Sequence, residues 1–175
     1  MAGVYRRHDA MQYAIKWAHG RNPDYRDYSG QGGGGDCANY VSQVLHAGGW
    51  PLDNRRGWWS YKHHSTPGWT VANELRLFLK NNHRAWECER TELTLGDVVF
   101  QDLEGRAVLT MVVTGVNREK DADIFVCGHT NDRLNASFNH LEKFNSGNGV
   151  TWQYWKLAEI IPVVRPDGPG HVGLY

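Results

Sequence analysis

The hydrophobic period of this chain changes near Trp86, and that change limits the folds open to it. Before Trp86 apolar residues recur at helical spacing. After it they form short β-branched runs between glycine- and aspartate-rich turns. Arg6 to His19 carries Ala10, Tyr13, Ala14, Trp17 and Ala18 on one stripe, and Gly20 ends it. From Cys37 a second stripe holds Ala38, Val41, Val44 and Leu45, stopped by Gly48-Gly49. Thr70 is placed to cap a third helix through about Lys80, with Val71, Leu75, Phe78 and Leu79 inward. Gly96 to Gln101, Ala107 to Thr114 and Ile124 to Cys127 read as strands. A further apolar run, Leu157 to Val164, precedes a tail rich in proline and glycine. Helices first and an antiparallel sheet second predict an α+β fold, and 175 residues read as one domain, 1–175.

The stretch with most chemical content is Gly32 to Gly35 followed by Asp36-Cys37-Ala38-Asn39-Tyr40-Val41-Ser42-Gln43. Glycines let the backbone turn sharply, and Asp36 is a good helix N-cap. Cys37 is thereby set in the first helical turn, where the helix dipole and unpaired N–H groups favour thiolate over thiol. The same N–H groups suit an oxyanion beside the sulfur. The competing reading of an unpaired cysteine is a small core side chain.

Lysine plus arginine and aspartate plus glutamate both number 19, so neither nucleic acid nor an anionic membrane is an expected partner. The longest apolar runs, such as Val108 to Val113, are too short to cross a bilayer. The opening Met-Ala-Gly-Val-Tyr-Arg-Arg-His-Asp lacks the apolar core of a secretory signal, so the expected location is cytoplasmic. Three cysteines imply no disulfide framework. No glycine-rich phosphate motif is present, and Cys127-Gly128-His129 offers two metal ligands without a second pair. Neither a cofactor nor a metal is expected. Eight tryptophans, several of them between Trp50 and Trp69, suit either a substrate cleft or a tryptophan-rich core.

A cysteine nucleophile needs a base or cation, and that group needs something to orient it. In a helices-then-sheet chain the partner comes from a strand packed on the nucleophile helix. His129, at the end of a predicted strand and followed by Thr130-Asn131-Asp132, is the candidate.

Several blocks in order then become familiar. They are Tyr5-Arg6-Arg7 with Ala10, Tyr13-Ala14 and Trp17-Ala18; Asn22-Pro23 with Tyr25-Arg26-Asp27-Tyr28; and Gly35 to Gln43. Leu45 to Gly49, Trp69 to Asn73, Gly96 to Phe100, Val112 to Gly115 and His129 to Asp132 follow. Together they resemble the putative amidase domain family, a branch of the papain-like, CHAP-related cysteine amidases and peptidases. The resemblance runs over roughly residues 5–135. It implies a papain-like α+β fold and amide cleavage by acyl transfer through a thioester, commonly in peptidoglycan-type peptides. Cys37 matches the family nucleophile and His129 a polar or histidine position on the following strand.

One departure stands out. Counting back from Thr114-Gly115, the position of the family's general-base histidine holds Leu109, and no histidine lies between His83 and His129. Loss of a general base costs about 10²–10⁴-fold in rate. Four readings follow. His129 acts directly, oriented by Asn131 or Asp132; a loop histidine, His63 or His64, leans in; the cysteine transfers or cyclises an activated acyl group on a small-molecule or peptide-like substrate; or a degenerate site binds a peptide, glycan or metabolite. On the enzymatic readings Cys37, His129 and Asn131 are catalytic, and Gln31, Asp36, Trp58, Trp59, Trp69 and Leu109 line the substrate site, with Gln31 a candidate oxyanion donor. Leu109, Met111 and Val113 should share one strand face, with Leu109 beside Cys37.

Overall fold

A computed structural model describes residues 2–30 and 35–162. Strand β1 (Ala2–Val4) leads into helix α1 (Arg7–Trp17), and helix α2 covers Cys37–Ala47. A tryptophan-rich stretch follows, with a 3₁₀ turn at Asn54–Arg56 and a small hairpin of β2 (Ser60–Tyr61) and β3 (His64–Ser65). Helix α3 (Pro67–Thr70) and helix α4 (Ala72–Asn81) precede β4 (Ala85–Cys88), β5 (Val98–Leu103), β6 (Arg106–Asn117), β7 (Asp123–Gly128) and β8 (Arg133–Ser137). Helix α5 (Phe138–Phe144), β9 (Val150–Leu157) and β10 (Ile160–Pro162) complete the elements.

The main sheet has the order β4-β9-β5-β6-β7-β8, and every pairing in it is antiparallel. The architecture is α+β, as the change of period predicts. Its two faces are read directly from alternation along β5. Val98 and Phe100 join the core beneath α1, α2 and α4, whereas Val99 joins a second core with Met111, Val113, Val126 and Phe138 of α5.

Three elements differ from the sequence expectation. Thr70 closes α3 rather than capping the next helix, and the N-cap of α4 is Val71, which is exposed rather than inward. The apolar run expected from Leu157 only begins where β9 ends. Val150–Leu157 is the strand, and it inserts between β4 and β5 although it comes last of the three in sequence. Aromatic residues on both of its faces, Trp152 and Tyr154 against Trp155, blur the period-two signal.

Asp97 ties the layers together. Its fully buried carboxylate accepts from Arg7 of α1 at 2.8 Å, Lys156 of β9 at 3.0 Å and the backbone N–H groups of Thr94 and Leu157 at 2.8 and 3.0 Å. A buried charge is tolerable only when its lone pairs are used in this way.

Candidate active site

Helix α2 is buried along nearly its whole length, from Cys37 to Leu45, including its polar residues. Such a helix has to find partners for Asn39 and Ser42 inside the protein. Tryptophan supplies them. The Trp58 indole N–H donates to Ser42 Oγ at 3.0 Å, and the Trp69 indole N–H donates to Asn39 Oδ1 at 2.8 Å. Ser42 Oγ in turn donates to the Trp69 carbonyl at 3.0 Å. Trp58 stacks on Phe78 and packs on Trp69, and both tryptophans are fully buried. These two residues, expected on a substrate wall, are core residues that satisfy the polar side of α2. Trp59 is half-buried beside Tyr61 on the small hairpin, and His63 and His64 are exposed there.

Cys37 is the first residue of α2 and is 2 % exposed. The backbone amides of Thr110, Ala38 and Cys37 itself favour the thiolate. Burial acts against them, and so does the charge of Asp36. Desolvation is the larger effect and holds the Cys37 thiol above its ordinary range. The helix-end stabilisation expected from sequence is therefore present but outweighed.

Asp36 occupies the N-cap position, yet its side chain makes no capping hydrogen bond. It is used elsewhere. Oδ1 accepts from the Tyr28 N–H at 3.1 Å and from Asn39 Nδ2 at 2.8 Å, and Oδ2 lies 2.5 Å from His129 Nδ1. The other ring nitrogen, Nε2, lies 2.8 Å from the carbonyl of Trp17, just past α1. Both nitrogens thus face acceptors within the protein. Arg21 approaches Nε2 at 3.2 Å but carries only donors, and its guanidinium is held bidentate by Asp132 at 2.9 and 3.0 Å. His129 packs against Tyr40 with the rings tilted, 4.1 Å between centroids. Neither ring nitrogen is free to take a proton from a thiol.

The turn after β7 grips the start of α2 at a second point. Thr130, at φ 65°, accepts from the Asp36 N–H through Oγ1 at 3.2 Å. A Cβ added to Gly35, itself at φ 73°, would sit 2.1 Å from that hydroxyl oxygen, so the residue before Asp36 has to be glycine. Asn131 is exposed with φ 60°, and His129 Nδ1 is held by the Asp36 carboxylate rather than by the Asn131 amide or by Asp132, which holds Arg21.

A family model described as a putative amidase domain matches residues 4–153. The chain belongs to the putative amidase domain family. Relatives of this amidase-family chain include the uncharacterized protein YhbB of Bacillus subtilis (strain 168), 38 % identical over 109 residues, which are 58 % of this chain and 33 % of YhbB. The uncharacterized protein YjcM of the same organism is 28 % identical over 145 residues, 75 % of this chain and 32 % of YjcM. The chain spans about a third of the length of the curated relatives it matches. No solved structure matches it.

Strand β6 supplies what faces Cys37 in this amidase-family chain. A register shift between Gln101 and Asp102 leaves Val108 without a partner on β5, and pairing resumes at Leu109 with Gln101. Leu109 then alternates with Met111 and Val113, as expected, and is half-buried where the two cores meet. The β6 residue whose backbone amide favours the Cys37 thiolate is its neighbour Thr110, opposite Phe100 on the helix-covered face. Sequence counting singled out Leu109 and passed over Thr110, for which no motif is a signal. Gln31 and Gly32 to Gly34, the sequence candidates upstream of Cys37, lie outside the described residues.

Proposed function

We propose that this chain is a cysteine-dependent acyl-transfer enzyme that takes its acyl group from an activated donor, a thioester of a small or peptide-like acid. The observation that carries the reading is the placement of Cys37 as the first residue of a buried helix, α2, where backbone amides favour its thiolate. Membership of the amidase family supports acyl chemistry in general. The commitment of both His129 nitrogens to Asp36 and Trp17 argues against unassisted amide cleavage, because an amine leaving group needs a proton donor that this histidine is not free to be.

The reaction is written in two steps. The Cys37 sulfur forms a bond to the acyl carbon, the carbon–sulfur bond of the donor breaks, and the Cys37 proton leaves on the departing thiol. An amine or hydroxyl acceptor then attacks the acyl-cysteine, its proton returns to the sulfur, and the thiol is restored. A thiolate leaves at neutral pH without general-acid help, so this sequence does not need the proton donor that amide cleavage needs.

The test is turnover of matched substrates with one acyl group presented as a thioester and as an amide. Release of thiol that disappears in Cys37→Ala, with the amide turned over at least about 10²-fold more slowly, is the expected result. The second reading, a degenerate domain that binds a peptide, glycan or metabolite, is favoured by the burial of Cys37 and its raised thiol. It predicts no thiol release above the Cys37→Ala background.

A further inference from the structure

Thr110 carries an unexplained feature. Its side chain is fully buried and its Oγ1 has no hydrogen-bond partner among the described residues. A buried hydroxyl left unpaired costs stability, and native proteins keep such groups where something else uses them. Most other buried polar side chains around Cys37 are spoken for: Asp36, Asn39, Ser42 and His129 all have partners. The Thr110 side chain stands opposite Phe100 on the helix-covered face of β6, and its backbone amide favours the Cys37 thiolate. The ladder between β6 and β7 starts at Val112 and Cys127, so Thr110 lies just before it, where β6 extends past its neighbour.

We propose that Thr110 is a catalytic residue of this site, its hydroxyl donating to the carbonyl oxygen of the bound acyl group. This rests on the acyl-transfer reading above. The side chain is fully buried and β-branched, which limits its rotamers before the substrate arrives. A donor of this kind strengthens its bond as negative charge gathers on the oxygen in the tetrahedral intermediate, and removal of one such donor costs about 10²–10³-fold. It also explains how strand β6 contributes to the site without a histidine.

Two measurements on wild type, Thr110→Val and Thr110→Ser decide it. The first is the thermal midpoint of the free protein. Valine keeps the shape and removes the unpaired hydroxyl, so the midpoint should rise or hold. A clear fall would mean that the hydroxyl already has a structural partner and would overturn the proposal. The second is single-turnover acylation of Cys37 by an aryl thioester, followed by intact mass. The expected result is a loss of about 10²-fold in Thr110→Val, with Thr110→Ser restoring most of the rate. Equal acylation of wild type and Thr110→Val overturns the role of Thr110 alone. A wild type that takes no acyl group overturns the acyl-transfer reading and this assignment with it.

Discussion

Nδ1 of His129 lies 2.5 Å from Oδ2 of Asp36, the residue immediately before Cys37. This contact joins the end of β7 to the start of α2, and the second ring nitrogen extends the tie to the end of α1 through Trp17. His129 therefore positions the start of α2, its ring nitrogens held by Asp36 and Trp17. Both partners are almost wholly buried, so removing one strands the other. His129→Gln and Asp36→Asn should each cost about 3–5 kcal/mol in urea unfolding. The double variant should cost less than the sum, by about 0.5–3 kcal/mol. Additive losses would show that the two side chains do not act as a pair.

The tryptophans of the loop make a separate prediction. Trp58→Phe keeps an aromatic ring against Phe78 and removes the donor to Ser42. It should destabilise the fold by about 1–3 kcal/mol. Acylation of Cys37, measured well below the melting transition, should be unchanged, because Trp58 belongs to the core and not to a substrate wall. A fall in acylation with unaltered stability would return Trp58 to the site.

The Cys37 and Cys88 thiols are both pushed up by burial. Desolvation, with Asp97 and Glu92 adding to it, pushes Cys88 up to about 11. In the unfolded chain the same thiol ionises near about 8.5. The native alkylation rate of Cys88 should therefore keep rising toward about pH 11, whereas in urea it should level off above about pH 9. A folded value above the unfolded one gives a stabilising contribution that is full below about pH 8.5 and is lost as pH rises to about 11. Compared with Cys88→Ser, the wild type should lose unfolding midpoint across that window. Parallel midpoints would contradict the shift.

Much of the fold was legible because it depends on local pattern. The stripe of α1, the glycine stop after α2 and the β-branched runs of β5, β6 and β7 are set by neighbours in sequence. Strand β9 was not, since its aromatics face both cores and its place between β4 and β5 is a long-range pairing. In the site, Cys37 could be placed at a helix start from Gly35, Asp36 and the spacing after it. The use of Asp36 could not. An aspartate before a helix reads as a cap, and only the return of the chain at residue 129 diverts its carboxylate to His129. Likewise, Thr110 gains its meaning from the register of β6 against β5 and from the sulfur beside it, neither of which is written in nearby residues.

The central claim is that Cys37 accepts an acyl group. The direct measurement is peptide mapping after one equivalent of an aryl thioester is added to the native protein and the reaction is quenched in acid. The account predicts an acid-stable acyl adduct on Cys37, absent from Cys88 and Cys127, and lost when an amine acceptor is added before the quench. An adduct spread over the three cysteines, or none on Cys37, would contradict it.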